Sequence, residues 1–183
     1  MEDTNSKLKN QIMEAAGNVQ YTFIAHWNIV NRLKEQYWII KIGQIVLTAL
    51  AAGGFLTSLI SGIPQLSWLG GLTSAIALGI NLYMLNFNLP DNIKQHTDAA
   101  NALWEVRERY KSLIVDFDSI EIDAVRERRD KLIQIVSDIN KRYPGTDEKS
   151  FIKAQNDVEK YEFDDGETAK VLNVKSGKYT PIA

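Results

Sequence analysis

The chain has 183 residues, two histidines (His26 and His96) and no cysteine. Two imidazoles are too few to close a zinc site, which takes four ligands. The simpler expectation is that each ring hydrogen-bonds between packed helices. There is no glycine-rich phosphate loop and no nucleophile elbow, so the chain is expected to be no enzyme, with no metal and no cofactor. Asp164, Asp165 and Glu167 are read as a solvated acidic turn. Two basic groups offer a different chemistry. Arg107, Arg109 and Lys111 form one; Arg126, Arg128 and Arg129, with Lys131, form the other. Trp104, Tyr110 and Tyr143 lie near them in sequence. Charge for phosphates and rings for stacking are what a nucleotide or a nucleic-acid strand requires. A competing reading is a face of surface ion pairs, because Glu105, Glu108, Glu127 and Asp130 interleave with the basic residues. Arg107 stands apart, because it falls on an apolar seam and must find a carboxylate there or face a solvent-filled axis.

A second pattern is polar but uncharged. Ser67, Ser74, Asn81 and Asn88 are spaced by sevens, which puts them on one face of a helix that is otherwise apolar. Two readings compete. The stripe is either a hydrogen-bonded seam between helices or the lining of a central pore shared by symmetric copies. Two helices of one chain enclose no path, so a pore needs a homo-oligomer in closed symmetry. Four copies, giving eight helices, are the expected number. Ala49-x3-Gly53, Gly54-x3-Ser58 and Ala75-x3-Gly79 fit close helix packing in lipid.

The elements that carry these residues follow from charge and periodicity. From Ile42 to Pro90 there is no Asp, Glu, Lys, Arg or His, although charged residues are 24% of the chain. About 20 apolar residues cross a bilayer, and residues 42–63 and 66–89 each meet that length. The turn between them, Ser61 to Gln65, is uncharged, whereas Arg32, Lys34 and Lys41 precede the first span and Lys94 follows the second. Positive residues stay cytoplasmic. Both termini are therefore expected on the cytoplasmic side, with membrane lipids as partners, Tyr37 and Trp38 at the inner face and Trp68 at the outer.

The flanks read as helices. Leu8, Ile12, Ala15, Val19, Phe23, Trp27, Val30 and Tyr37 mark an amphipathic helix, with Thr4 or Ser6 as N-cap. It either runs on into the membrane or lies along its surface. Pro90 either ends the second span or opens a new helix as its first residue. Ile93, His96, Ala100, Leu103, Arg107, Tyr110, Ile114 and Phe117 follow alternating steps of three and four, a heptad seam. Asp118 and Glu121 predict a capping box before a helix carrying Val125, Leu132, Val136, Ile139 and Tyr143, which Pro144-Gly145 stops. Thr146 then caps a last helix through about Tyr161. "AKVLNVKSGKYTPI" alternates like a small β-hairpin. The expected fold is all-α: a cytoplasmic amphipathic helix (1–41), a two-helix transmembrane hairpin (42–89), a cytoplasmic helical region (90–161) and a polar tail (162–183).

"FIAHWNIVNRLKEQYW" before the gap, and "HTDAANALWEVRERYKSLIVDF" and "RRDKLIQIVSDINKRYPGTD" after it, resemble the SLATT domain, a two-transmembrane effector module of bacterial conflict systems. The resemblance covers roughly residues 10–160. It rests most on His26 and on the H-x3-A-x6-R-x-R-Y string from His96 to Tyr110. It implies an antiviral effector that damages the host membrane on phage infection. A stand-alone chain of this size is similar to the membrane effector of the Hailong-type system, in which a nucleotidyltransferase makes DNA oligomers that hold the effector silent. The implied partner is thus a nucleotide or DNA oligomer acting on the cytoplasmic helices. The rival expectation is a membrane-anchored scaffold or sensor that conducts nothing.

Overall fold

The computed structural model describes residues 2–61 and 64–160. Every element among them is a helix: α1 (Glu2–Ser61), α2 (Pro64–Phe87), α3 (Leu89–Val115), α4 (Ile122–Arg142) and α5 (Glu148–Lys160). The all-α expectation holds. The expected tail hairpin, Asp164, Asp165 and Glu167 lie outside the described residues. The chain divides into two compact units, one of residues up to Val30 with those from Gln95 onward, the other of Asn31–Lys94.

In the first unit, α1 and α3 run antiparallel. Lys9 pairs with Asp118 at 3.0 Å toward one end, and His26 meets His96 toward the other. The turn after α3 sends α4 back along it, so residues 102–109 face residues 135–142. Their shared core contains Leu8, Ile12, Val19, Leu103, Tyr110, Val125 and Leu132. These are the residues of the three apolar periodicities, because a three-to-four step keeps side chains on one face. α5 packs on α1 through Tyr21 and Phe151, whose rings lie 6.3 Å apart.

Three predicted caps differ. α1 begins at Glu2, upstream of Thr4 and Ser6, so both lie inside the helix and cap nothing. Glu121 occupies the N-cap of α4 without a side-chain cap bond. Asp118 lies three residues upstream of that N-cap, too early to cap α4, and pairs with Lys9 instead. α5 is capped by Asp147 rather than Thr146, with Ser150 N donating to Asp147 Oδ1 at 2.8 Å. A carboxylate at a helix N-terminus adds a dipole interaction that a threonine lacks.

The attachment of α5 gives a first prediction. Asn28 is buried, and its Nδ2 donates to Ser150 O at 3.4 Å and to Asp157 Oδ2 at 3.3 Å. These bonds are long, so Asn28→Leu should cost about 1 kcal/mol. The loss should appear as faster protease cleavage within residues 148–160. An unchanged cleavage rate there would mean that apolar packing alone holds α5.

In the second unit, α1 crosses the 41/42 boundary without interruption and continues to Ser61. The first span is therefore the C-terminal part of one 60-residue helix, which settles the sequence alternatives in favour of continuation. α1 and α2 are each long and apolar enough to cross a membrane. Most of their described side chains point outward: Ile42, Ile45, Leu50, Leu56, Leu72, Ile76 and Leu82 are exposed, as are Trp38 and Trp68. Lipid would cover such a surface. The break after α2 falls at Asn88, not at Pro90. Asn88 has φ 40°, a left-handed conformation that asparagine tolerates better than most residues. Its carbonyl accepts from Asp91 N and Asn92 N. α3 opens on Leu89, and Pro90 is its second residue, where a missing N–H still costs nothing.

Candidate functional site

The two histidines are buried polar residues of the first unit. Continuous α1 brings His26 to the level of His96, and both rings are buried. Their Nδ1 atoms are 2.9 Å apart. A hydrogen bond at that distance needs one proton between them, so one ring carries its proton on Nδ1 and the other on Nε2. Burial, and secondarily the proximity of His96, lowers the pKa of His26 from 6.5 to about 4. Hydrogen bonding between packed helices is thus the use of both rings. No group of three or more His, Cys, Asp or Glu among the described residues could hold a metal.

Beside His26 lies a cavity of about 500 Å³, bounded by α1, α3, α4, the α4–α5 loop and Phe151 of α5. Asn18, Thr22, His26, Tyr110, Asn140, Tyr143 and Thr146 contribute its polar side chains. Burial raises the pKa of the Tyr110 hydroxyl, and the positive charge of Arg129 opposes that rise. Sequence reasoning missed this cavity. Asn18 and Asn140 sit on exposed helix faces, and only packing brings them together.

The basic groups take partners along their own helices. Arg107 is buried on the α3 seam and donates to Glu108 Oε1 at 2.6 Å. Glu108 also receives Lys111 at 3.6 Å. Arg109 pairs with Glu105, Arg126 with Asp123 at 2.9 Å and Arg129 with Asp130 at 2.7 Å. Arg129 reaches Gln11 Oε1 as well, at 2.9 Å. Arg128 is exposed. A phosphate at these arginines would have to displace carboxylates. Exposed pairs of this kind contribute little, about 0–1 kcal/mol each.

The uncharged stripe divides by position. Asn81 Oδ1 accepts a hydrogen bond from Gln44 Nε2 of α1, so its carbonyl oxygen has a partner within the chain. Ser74 is exposed, Asn88 forms the α2–α3 junction, and the side chain of Ser67 lies outside the described residues. Gln44 was not anticipated as a site residue. It is the one amide between Ile42 and Ile63, which is the signal that could have found it.

No curated protein and no solved structure gives a match. A family comparison does: the model of the SMODS and SLOG-associating 2TM effector domain, family 4, matches residues 8–167. That span takes in both apolar helices, the histidine pair, the cavity and the basic groups. The chain therefore belongs to SLATT family 4, a family of two-transmembrane effector domains associated with defence systems.

Proposed function

We propose that the chain is the membrane effector of a bacterial anti-phage defence system. As a homo-oligomer of four it opens a conduit that depolarises the inner membrane, and a nucleotide or DNA oligomer acting on the cytoplasmic helices controls that opening. The exposed Ser74 on an apolar helix supports this reading. A hydroxyl in lipid requires protein or water as a partner, and a second copy can supply it. Ser67, Ser74, Asn81 and Asn88 are the proposed lining. An uncharged lining discriminates poorly between ions, since selectivity draws on charged rings or ordered carbonyls. The catalytic role in such a system falls to a partner nucleotidyltransferase. The Gln44–Asn81 bond favours a second reading, a scaffold whose polar stripe is only a seam. Reconstitution in dye- and ion-loaded liposomes separates the two: an effector of this kind releases its load, and a scaffold does not.

Topology and ligand control are checked separately. With both termini cytoplasmic, Ser61→Cys is labelled from outside intact cells and Lys178→Cys is not; the opposite pattern would invert the proposed orientation. If phosphates engage Arg107, Arg109, Arg126 and Arg129, oligonucleotide binding falls steeply with salt, because bound counterions are released. Removing the charges of Arg126 and Arg129 then weakens binding and leaves the oligomer intact. An oligomer that dissociates instead assigns the arginines a structural role.

A further inference from the structure

We propose that the cavity beside His26 is a binding site for an uncharged, planar nitrogen heterocycle of nucleoside size. Its volume, about 500 Å³, lies within the range of about 300–1,000 Å³ typical of small-molecule sites. Among the described residues that line it there is no Lys, Arg, Asp or Glu. Arg129, whose charge acts on the lining Tyr110, is already paired with Asp130, so an ionic group there would lose hydration without a free counter-charge, which is unfavourable. The occupant is therefore neutral where it sits.

The lining also specifies shape. Tyr110, Tyr143, Phe151 and the His26 imidazole border one space, and aromatic faces favour a flat ring laid against or edge-on to them. Asn18 and Asn140 each present a donor and an acceptor. A purely aromatic or aliphatic occupant would exclude water from these amides and leave them unsatisfied, at about 1–3 kcal/mol for each lost partner. A heterocycle whose edge alternates ring nitrogens with carbonyl or amino groups satisfies them. The hydroxyl of Thr22 donates to Asn18 O at 2.9 Å, so the amides rather than this hydroxyl read the edge. The His26 ring is held through its Nδ1 by His96, giving a wall of fixed orientation.

This inference is independent of phosphate binding at the basic groups. That mode depends on salt, whereas an uncharged ligand in an uncharged cavity does not. The test uses the full chain in detergent micelles with four probes, adenosine, guanosine, cytidine and thymidine, read by saturation-transfer NMR and calorimetry. At least one nucleoside should bind saturably, with a dissociation constant unchanged between low and high salt. Asn140 is exposed, so Asn140→Ala should keep the fold, checked by an unchanged melting temperature, and should weaken binding about tenfold, a change of about 1.4 kcal/mol. Thr22→Trp, which fills the cavity from its half-buried edge, should abolish binding. The proposal is overturned if none of the four binds the wild-type chain. It is equally overturned if binding survives both variants at full strength, or if it falls with salt and is lost on removing the charges of Arg126 and Arg129.

Discussion

Acidification from pH 7 toward pH 4 should lower the stability of the folded chain by up to about 3 kcal/mol through His26 alone. The sign follows from the depressed pKa. In the unfolded chain the imidazole titrates near 6.5, and in the folded chain near 4. Above pH 6.5 both states are neutral and the full stability is present. Between 6.5 and about 4 only the unfolded state binds the proton, so stability falls with pH. Below about 4 the folded state binds it too, and the loss levels off. His26→Gln keeps a group able to hydrogen-bond His96 Nδ1 but does not titrate. Melting temperatures of the two proteins in detergent, scanned over this interval, should diverge, with the wild type falling further. Parallel curves would mean that His26 is protonated equally in both states. Carboxylates contribute to both curves alike, so only the difference between them is informative.

The second large effect is expected at Gln44 and Asn81. Asn81→Leu leaves the Gln44 amide without its partner in an apolar span, and Gln44→Leu does the same to Asn81. Each single change should lower stability by about 0.6–2 kcal/mol, the range for interhelical polar contacts in lipid. The double variant removes both amides and should recover much of that loss, since two matched apolar groups leave nothing unsatisfied. Ion flux per folded oligomer then separates seam from lining. If the Asn81 position also faces a conduit, leucine there closes it by dewetting, and the stable double variant conducts nothing. Asn81→Asp in that case biases flux toward cations. If the pair is only a seam, the double variant conducts like the wild type, and Asn81 drops out of the proposed lining. Single variants cannot make this distinction, because a destabilised oligomer and a closed one both lose flux.

The sequence by itself determined the membrane hairpin and the apolar faces of the helical unit. The charge-free run from Ile42 to Pro90 is legible without a structure, because lipid penalises any charge wherever neighbouring helices lie. The seams of α1, α3 and α4 are legible because a buried face repeats every three to four residues, and Leu8, Ile12, Leu103, Tyr110, Val125 and Leu132 are all buried where the period places them. Arg107 was marked as unusual by the same period, and it is buried.

Only the tertiary structure decided pairings. Periodicity states which face of a helix is buried and is silent on its partner across the interface. Gln44 could not be joined to Asn81, or Asp118 to Lys9, by spacing alone. The arginines illustrate the same limit. The interleaved Glu105, Glu108, Glu127 and Asp130 left ion pairs and a phosphate site both open; side-chain geometry pairs Arg107, Arg109, Arg126 and Arg129 with carboxylates one to four residues away, and shows that Asp123, which spacing did not single out, takes Arg126. Asn88 was legible as a cap beside Pro90, but not as the residue at which the helix breaks. Pro90 is the stronger breaker in general, but the first turn of a helix needs no N–H at that position, so the turn was free to form two residues earlier. The cavity beside His26 belongs to no single helix. It exists because α1, α3, α4, α5 and the α4–α5 loop leave a space between them, and volume between elements is a property of packing that no one-dimensional pattern encodes.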